Sequence, residues 1–274
     1  MCDARPIGVF DSGVGGLSVL RALRAKMPNE HFLYIADQSH VPYGLRRLNE
    51  VRALAEGITR YLLAQHAKAV VVACNTASAA ALHSLRETFP DTPFVGMEPA
   101  VKPAAEHTRT RVVGVLATPA TFQGALYASV VERFAQGTRL LEATCPGLVQ
   151  EIEAGRLNGE RARAILAEAL QPMLARGMDT VVLGCTHYPF VIPLIQEIVG
   201  KDVRVIDPAP AVARQTARVL AARGIGNAAD RTGSVRFYTT ATQPETTAEI
   251  MARLLGEEVR VERLRWQEAR LENA

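Results

Sequence analysis

Short apolar runs, rich in β-branched residues, recur along the chain. Each leads through a few polar or glycine positions into a stretch whose apolar residues stand three to four apart. This pattern predicts strands at 7–10, 32–36, 94–97, 112–116, 203–206, 235–240 and 259–264, and two more at Val70-Val71-Val72-Ala73 and Val181-Val182-Leu183-Gly184. A brief apolar run bounded by turn residues marks a strand buried on both faces. Helical spacing begins at Leu17 and continues with Leu20 and Leu23. It returns over 48–66, 78–88, from 117–121 onward, and over 158–176, 211–223 and 244–255. Pro172 inside the 158–176 helix should kink or divide it, and Gly177 is a natural stop. The charged tail 265–274 has a helical pattern and reads as a solvated face. Strands alternate with helices almost throughout, which argues an α/β, doubly wound architecture with mostly parallel sheets. The segments Glu98-Pro99-Ala100-Val101-Lys102-Pro103 and Asp207-Pro208-Ala209-Pro210 read as crossings between domains.

Composition narrows the class. The chain has 274 residues, 48% hydrophobic and 22% charged, ordinary for a soluble globular protein of one large or two smaller domains. The net charge of +3 is spread among interspersed acids and bases, and aromatics are 5%, so no nucleic-acid partner is expected. No apolar run approaches the roughly 18 residues of a membrane span. The residues Met1 to Pro6 lack the layout of a signal peptide. A cytoplasmic protein with no membrane partner is expected. The four cysteines, Cys2, Cys74, Cys145 and Cys185, form no Cys-x-x-Cys pair, and a disulfide framework does not suit such a chain. Cys2 reads as a mobile terminal residue without a role, and Cys145, before Pro146-Gly147, as a small buried apolar one.

Cys74 and Cys185 are different. Each ends a short apolar strand and precedes polar residues, Asn75-Thr76-Ala77-Ser78 in one case and Thr186-His187-Tyr188-Pro189 in the other. Ligands of open α/β sheets bind at the carboxyl ends of strands, and a helix start there can lower a thiol pKa. Phe10-Asp11-Ser12-Gly13-Val14-Gly15-Gly16 is a strand end running through a Gly-rich turn into a helix, an arrangement open to anions. It fits neither the dinucleotide fingerprint nor a P-loop. Asp11 could merely cap the helix, His187 could be a core histidine, and Tyr43 and Gly44 could only shape their loop. His40, His66, His83 and His107 read as surface or helix-face residues.

One activated cysteine with His187 as base would make a hydrolase, but leaves the second cysteine unexplained. Inverting a carbon stereocentre needs two groups: a base on one face and an acid on the other. Two thiols can exchange those parts, with Asp11 aiding one and His187 the other. A non-catalytic binding protein remains an alternative. A metal site from Cys74, Cys185 and His187 lacks ligand spacing.

These residues carry a resemblance. Phe10-Asp11-Ser12-Gly13-Val14-Gly15-Gly16-Leu17, Pro42-Tyr43-Gly44, Ala73-Cys74-Asn75-Thr76-Ala77-Ser78 and Gly184-Cys185-Thr186-His187-Tyr188-Pro189 are similar to the glutamate racemases, and Ala36-Asp37, Glu98-Pro99-Ala100 and Asp207-Pro208-Ala209 match as well. The resemblance spans about 7 to 240. It implies a cofactor-independent, metal-free enzyme interconverting L- and D-glutamate, with D-glutamate feeding peptidoglycan precursors. It implies two similar α/β domains, 1–97 plus 208–274 and 98–207, with the site in the cleft between them, and a homodimer. By the same resemblance Cys74 and Cys185 are the acid/base pair assisted by Asp11 and His187. Substrate contacts fall to Asp11, Ser12, Pro42, Tyr43, Gly44, Asn75, Thr76, Thr186 and His187. Aspartate racemases also pair two cysteines, but usually carry an acid where His187 stands. Where the family places a Phe and a second proline after Cys145-Pro146, this chain has Gly147-Leu148; Glu153 falls at the place of the family's next acidic residue.

Overall fold

The computed structural model describes residues 3–229 and 231–274, so the reading of Cys2 lies outside the described residues. The apolar runs assemble into two sheets. The chain starts the first with β1 (Ile7–Asp11), β2 (Phe32–Ala36), β3 (Ala69–Val72) and β4 (Phe94–Val95). It then builds the second from β5 (Val112–Ala117), β6 (Arg139–Ala143), β7 (Thr180–Gly184) and β8 (Arg204–Ile206). It returns to complete the first with β9 (Val235–Thr239), β10 (Val261–Gln267) and β11 (Arg270–Asn273). The spatial orders are β11-β10-β9-β2-β1-β3-β4 and β6-β5-β7-β8. Every pairing is parallel except β10 with β11. Parallel strands buried on both faces need no polar alternation, which is why runs such as Val70-Val71-Val72 form them.

Helices cover both faces of each sheet. On one face of the seven-stranded sheet, α1 (Leu17–Lys26), α10 (Ala209–Ala222) and α11 (Pro244–Leu255) bring Leu20, Leu220 and Met251 against Val9 and Val71. On the other, α2 (Leu48–Ala64) and α3 (Asn75–Thr88) pack Ile58, Leu62 and Leu85 against Phe10, Ile35 and Val70. The four-stranded sheet is covered by α4 (Val101–His107) and α6 (Ala125–Phe134) on one side, and by α7 (Leu148–Glu153), α8 (Glu160–Leu174) and α9 (Ile192–Val199) on the other. The short α5 (Pro119–Gln123) follows β5. Each such buried aliphatic side chain stabilises the fold by about 1.5–3 kcal/mol relative to exposure.

Several expectations need correction. The helix expected from 78 begins at Asn75, and Cys74 is its N-cap, its Sγ accepting the Ala77 N–H at 3.4 Å. Pro172 does not divide α8, which runs without a break from Glu160 to Leu174 with the proline in its last turn. Gly177 does close that unit, in the left-handed region at φ +83. The tail is not a solvated helix. It forms the β10–β11 hairpin, which buries Leu264 and Leu271 beside α2. The strand β6 and the helices α4, α7 and α9 have no counterpart among the sequence expectations, and the helix expected from 117–121 onward is divided into α5 and α6.

Candidate active site

In each sheet the chain leaves a central strand to opposite sides, β1 between β2 and β3, β5 between β6 and β7. These are switch points, where loops at the carboxyl ends part and leave a crevice. Asp11 and Cys74 stand at the first, Thr118 and Cys185 at the second. The two crevices face each other. Cys74 and Cys185, both buried, line one cavity of about 20 Å3.

The first half supplies Ser12, Pro42, Tyr43 and Gly44 to its wall, with Asn75 and Thr76 from the start of α3. Asn75 is buried, and neither its Oδ1 nor its Nδ2 has a hydrogen-bond partner among the described residues. Buried polar atoms of this kind call for a ligand or water. Asp11 stands behind this wall rather than in it. Its Oδ2 accepts the Gly16 N–H at 2.8 Å and the Thr186 hydroxyl at 3.4 Å, which fixes the Gly-rich turn and reaches the opposite half. Burial pushes the Asp11 carboxyl up, more than the nearby His187 charge pulls it down.

The second half supplies Gly184, Cys185, Thr186 and His187, together with Thr118 and Val149. Cys185 Sγ lies 3.7 Å from His187 Nδ1. The other ring nitrogen of His187 meets Glu153 Oε1. Glu153 comes from α7, yet it also accepts the Val14 N–H at 2.9 Å and the Gln38 Nε2 at 2.7 Å, so one carboxylate joins both halves. The packing explains two glycines of the turn. A Cβ at Gly15 would lie 2.3 Å from His187 Nδ1, and one at Gly13 would lie 2.0 Å from Glu153 Oε1.

The charges follow from these neighbours. Burial alone would lower the His187 pKa, but its contacts with Cys185 and Glu153 outweigh it and raise it well above the usual histidine value. Glu153 is the complement: burial raises its pKa, and His187, Gln38 and the Val14 amide bring it below the ordinary value. The Cys74 thiol is pushed well up, first by burial and then by the Asp11 carboxylate. The lowering expected of a helix start is present through the Ala77 amide but loses to desolvation.

All the residues expected at the site therefore gather here, with Asp11 one layer back. Glu153 and Thr118 are added. Glu153 was marked in the sequence only by its position after Cys145. Thr118, the N-cap of α5, has its hydroxyl 2.9 Å from that of Thr76 across the cleft, and no local motif announces it. His40 is partly exposed, as expected of a surface residue, but its Nδ1 also stands 3.0 Å from Oδ2 of the buried Asp37 carboxylate. Among the described residues, no group of three or more His, Cys, Asp or Glu is arranged to hold a metal ion. No helix among them is long and apolar enough to cross a membrane.

Solved structures share this architecture. A glutamate racemase isoform from Bacillus anthracis superposes with a TM-score of 0.86 at 31% identity, covering 98% of this chain and 99% of that one. The Escherichia coli glutamate racemase, solved with L-glutamate and the activator UDP-MurNAc-Ala, gives 0.82 at 32% identity over 95% of this chain and 98% of that one. The fold is thus that of the glutamate racemases. Among curated sequences, the glutamate racemase of Pseudomonas paraeruginosa is 50% identical over 262 residues, 96% of this chain and 98% of that protein. The profile of the Asp/Glu/Hydantoin racemase family matches residues 16–216. The chain belongs to the Asp/Glu/hydantoin racemase family, and it is an isomerase.

Proposed function

We propose that the protein interconverts L- and D-glutamate by a two-thiol mechanism that needs no cofactor. The observation that carries this reading is the pair of buried cysteines lining one cavity from the carboxyl ends of two parallel sheets. The thiolate of one cysteine removes the α-proton, leaving a planar carbanion stabilised by the adjacent carboxylate. The thiol of the other delivers a proton to the opposite face. The two sulfurs end with exchanged protonation states, and the reverse reaction uses the same groups in exchanged roles. On the Cys185 side, the His187 imidazolium held by Glu153 supplies positive charge next to the sulfur. On the Cys74 side, Asp11 accompanies the thiol and disfavours its ionisation, which suits Cys74 to wait as the acid.

The start of α3 offers free amide groups and the unpartnered Asn75 side chain, which suit carboxylate oxygens. The cavity's 20 Å3 holds about one water, so an amino acid enters only when the two halves part. We assign the halves to domains 1–97 plus 208–274 and 98–207, following the membership of the two sheets. The names of the relatives support glutamate as the substrate, and His187 in place of an acid supports it over aspartate. In this reading the enzyme is a cytoplasmic homodimer whose D-glutamate supplies peptidoglycan precursors.

The test is polarimetry of L-glutamate, D-glutamate and L-aspartate with the purified protein, with EDTA and without pyridoxal phosphate. Both glutamate enantiomers should decay to the racemate while aspartate keeps its rotation. Racemisation of aspartate in preference to glutamate would overturn the substrate assignment.

A further inference from the structure

Behind the cavity wall stands a buried carboxylate that the reaction above does not use. Asp37 ends β2 and is fully buried. Its Oδ2 accepts the Tyr43 hydroxyl at 2.6 Å. Its Oδ1 accepts the Thr240 hydroxyl at 2.8 Å and the Trp266 indole N–H at 2.7 Å. His40 and Ser39 complete the shell at 3.0 Å and 3.3 Å. These donors come from three places: the loop 38–44, the end of β9, and β10 in the C-terminal hairpin. The indole is itself seated. It lies against Gly57 of α2, where a Cβ would stand 2.7 Å from the ring, and meets the His40 ring edge-on at 5.5 Å between centroids.

The loop gathered around Asp37 is the one that delivers Pro42, Tyr43 and Gly44 to the cavity. Gly44 also meets the other half, since a Cβ there would lie 2.8 Å from Thr118. A hairpin more than 200 residues away in sequence is thus one hydrogen-bonded carboxylate away from the substrate wall.

We propose that Trp266, with Thr240, is a positioning residue: through Asp37 it holds the loop 38–44 in the shape that lines the substrate cavity. The proposal rests on the reading of that cavity as the site of racemisation. The indole N–H touches no reacting atom. Its removal loosens the loop, so that only a fraction of molecules presents a complete wall, and apparent affinity falls by that fraction. The chemistry in the molecules that do bind is unchanged.

The experiment compares wild type with Trp266→Phe, which keeps a ring but removes the donor, and with Thr240→Val, which leaves the hairpin intact. Thr240→Ser is the control that restores a hydroxyl. Steady-state kinetics in both directions are paired with limited trypsin digestion, following cleavage after Arg46 and Arg47 by mass spectrometry. Trp266→Phe should raise KM about tenfold, the size of one hydrogen bond to a charged acceptor, and Thr240→Val at least as much, because the Thr240 hydroxyl also accepts the Ser39 N–H of the same loop at 2.9 Å. Values of kcat should stay within about twofold of wild type, as a change in the competent fraction requires. Cleavage at Arg46 and Arg47 should accelerate in both, and Thr240→Ser should resemble wild type in both assays. An unchanged KM, a loss confined to kcat, or unaltered cleavage would each overturn the proposal. If wild type leaves glutamate unracemised, the functional reading fails instead, and the cleavage rates alone then decide whether the tether exists.

Discussion

Replacing Glu153 with glutamine isolates the charge that joins the halves of the site. The amide keeps the size of the side chain and can still accept the Val14 N–H, now 2.9 Å away, but it no longer offers an anion to His187. His187 is buried and the Glu153 side chain is 12% exposed, so solvent screens the pair little. A hydrogen bond to a charged partner contributes about 1.5–3 kcal/mol, against about 0.5–1.5 for a neutral one. The imidazolium therefore loses about 1–1.5 kcal/mol of preference over imidazole. At about 1.4 kcal/mol per pKa unit, the His187 pKa falls by about one unit. Because that pKa is raised in the folded protein, the stability it contributes is present below the ordinary histidine value and is lost as pH rises through the raised one. The melting-temperature deficit of Glu153→Gln should accordingly be larger at about pH 6 than on the alkaline side of the raised His187 pKa. The alkaline limb of kcat/KM should move about one pH unit toward acid in both reaction directions. The assay is a pH series of initial rates with parallel thermal melts. A limb that does not move, together with a deficit independent of pH, would refute the view that Glu153 keeps His187 cationic.

Two further substitutions probe packing. Gly15→Ala places a methyl 2.3 Å from His187 Nδ1, and the displaced ring should cost about a hundredfold in kcat/KM by initial rates. Leu264→Ala removes a fully buried side chain of β10. It should lower unfolding free energy by about 2–5 kcal/mol in denaturant melts, whereas a solvated tail would show almost no change.

The parts of the molecule legible in the sequence are those whose cause is local. Val70-Val71-Val72 and Val181-Val182-Leu183 declare buried parallel strands by themselves, and a cysteine directly after each lands at the ligand edge whatever lies elsewhere. The strand β6 was illegible because it is an edge. Of Arg139-Leu140-Leu141-Glu142-Ala143 only Leu141 is buried, so no continuous apolar run forms. The strand expected at 259–264 is present in β10, but the tail beyond it was misread because Arg265, Glu268, Arg270 and Glu272 mimic a solvated helix, while Leu271 is the one buried residue of 265–274. The Cys74 thiol departs from expectation for another reason: a helix start favours thiolate, but the burial that opposes it depends on packing from the whole sheet. Glu153 and Asp37 show the same limit. The partners of Glu153 lie 34 to 139 residues away, and two of those of Asp37 lie 203 and 229 residues away, and no local pattern encodes such distances.

The central claim is that two different sulfurs serve the two faces of one carbon. The most direct measurement is the isotopic content of both enantiomers during the first turnovers of L-glutamate in heavy water. It should be made with wild type, Cys74→Ser and Cys185→Ser. A two-thiol enzyme places solvent deuterium in the D-product while the remaining L-substrate keeps its protium at early times, and loss of either sulfur stops inversion. Deuterium appearing in the L-substrate as fast as in the D-product, or inversion persisting in either variant near the wild-type rate, would contradict the account.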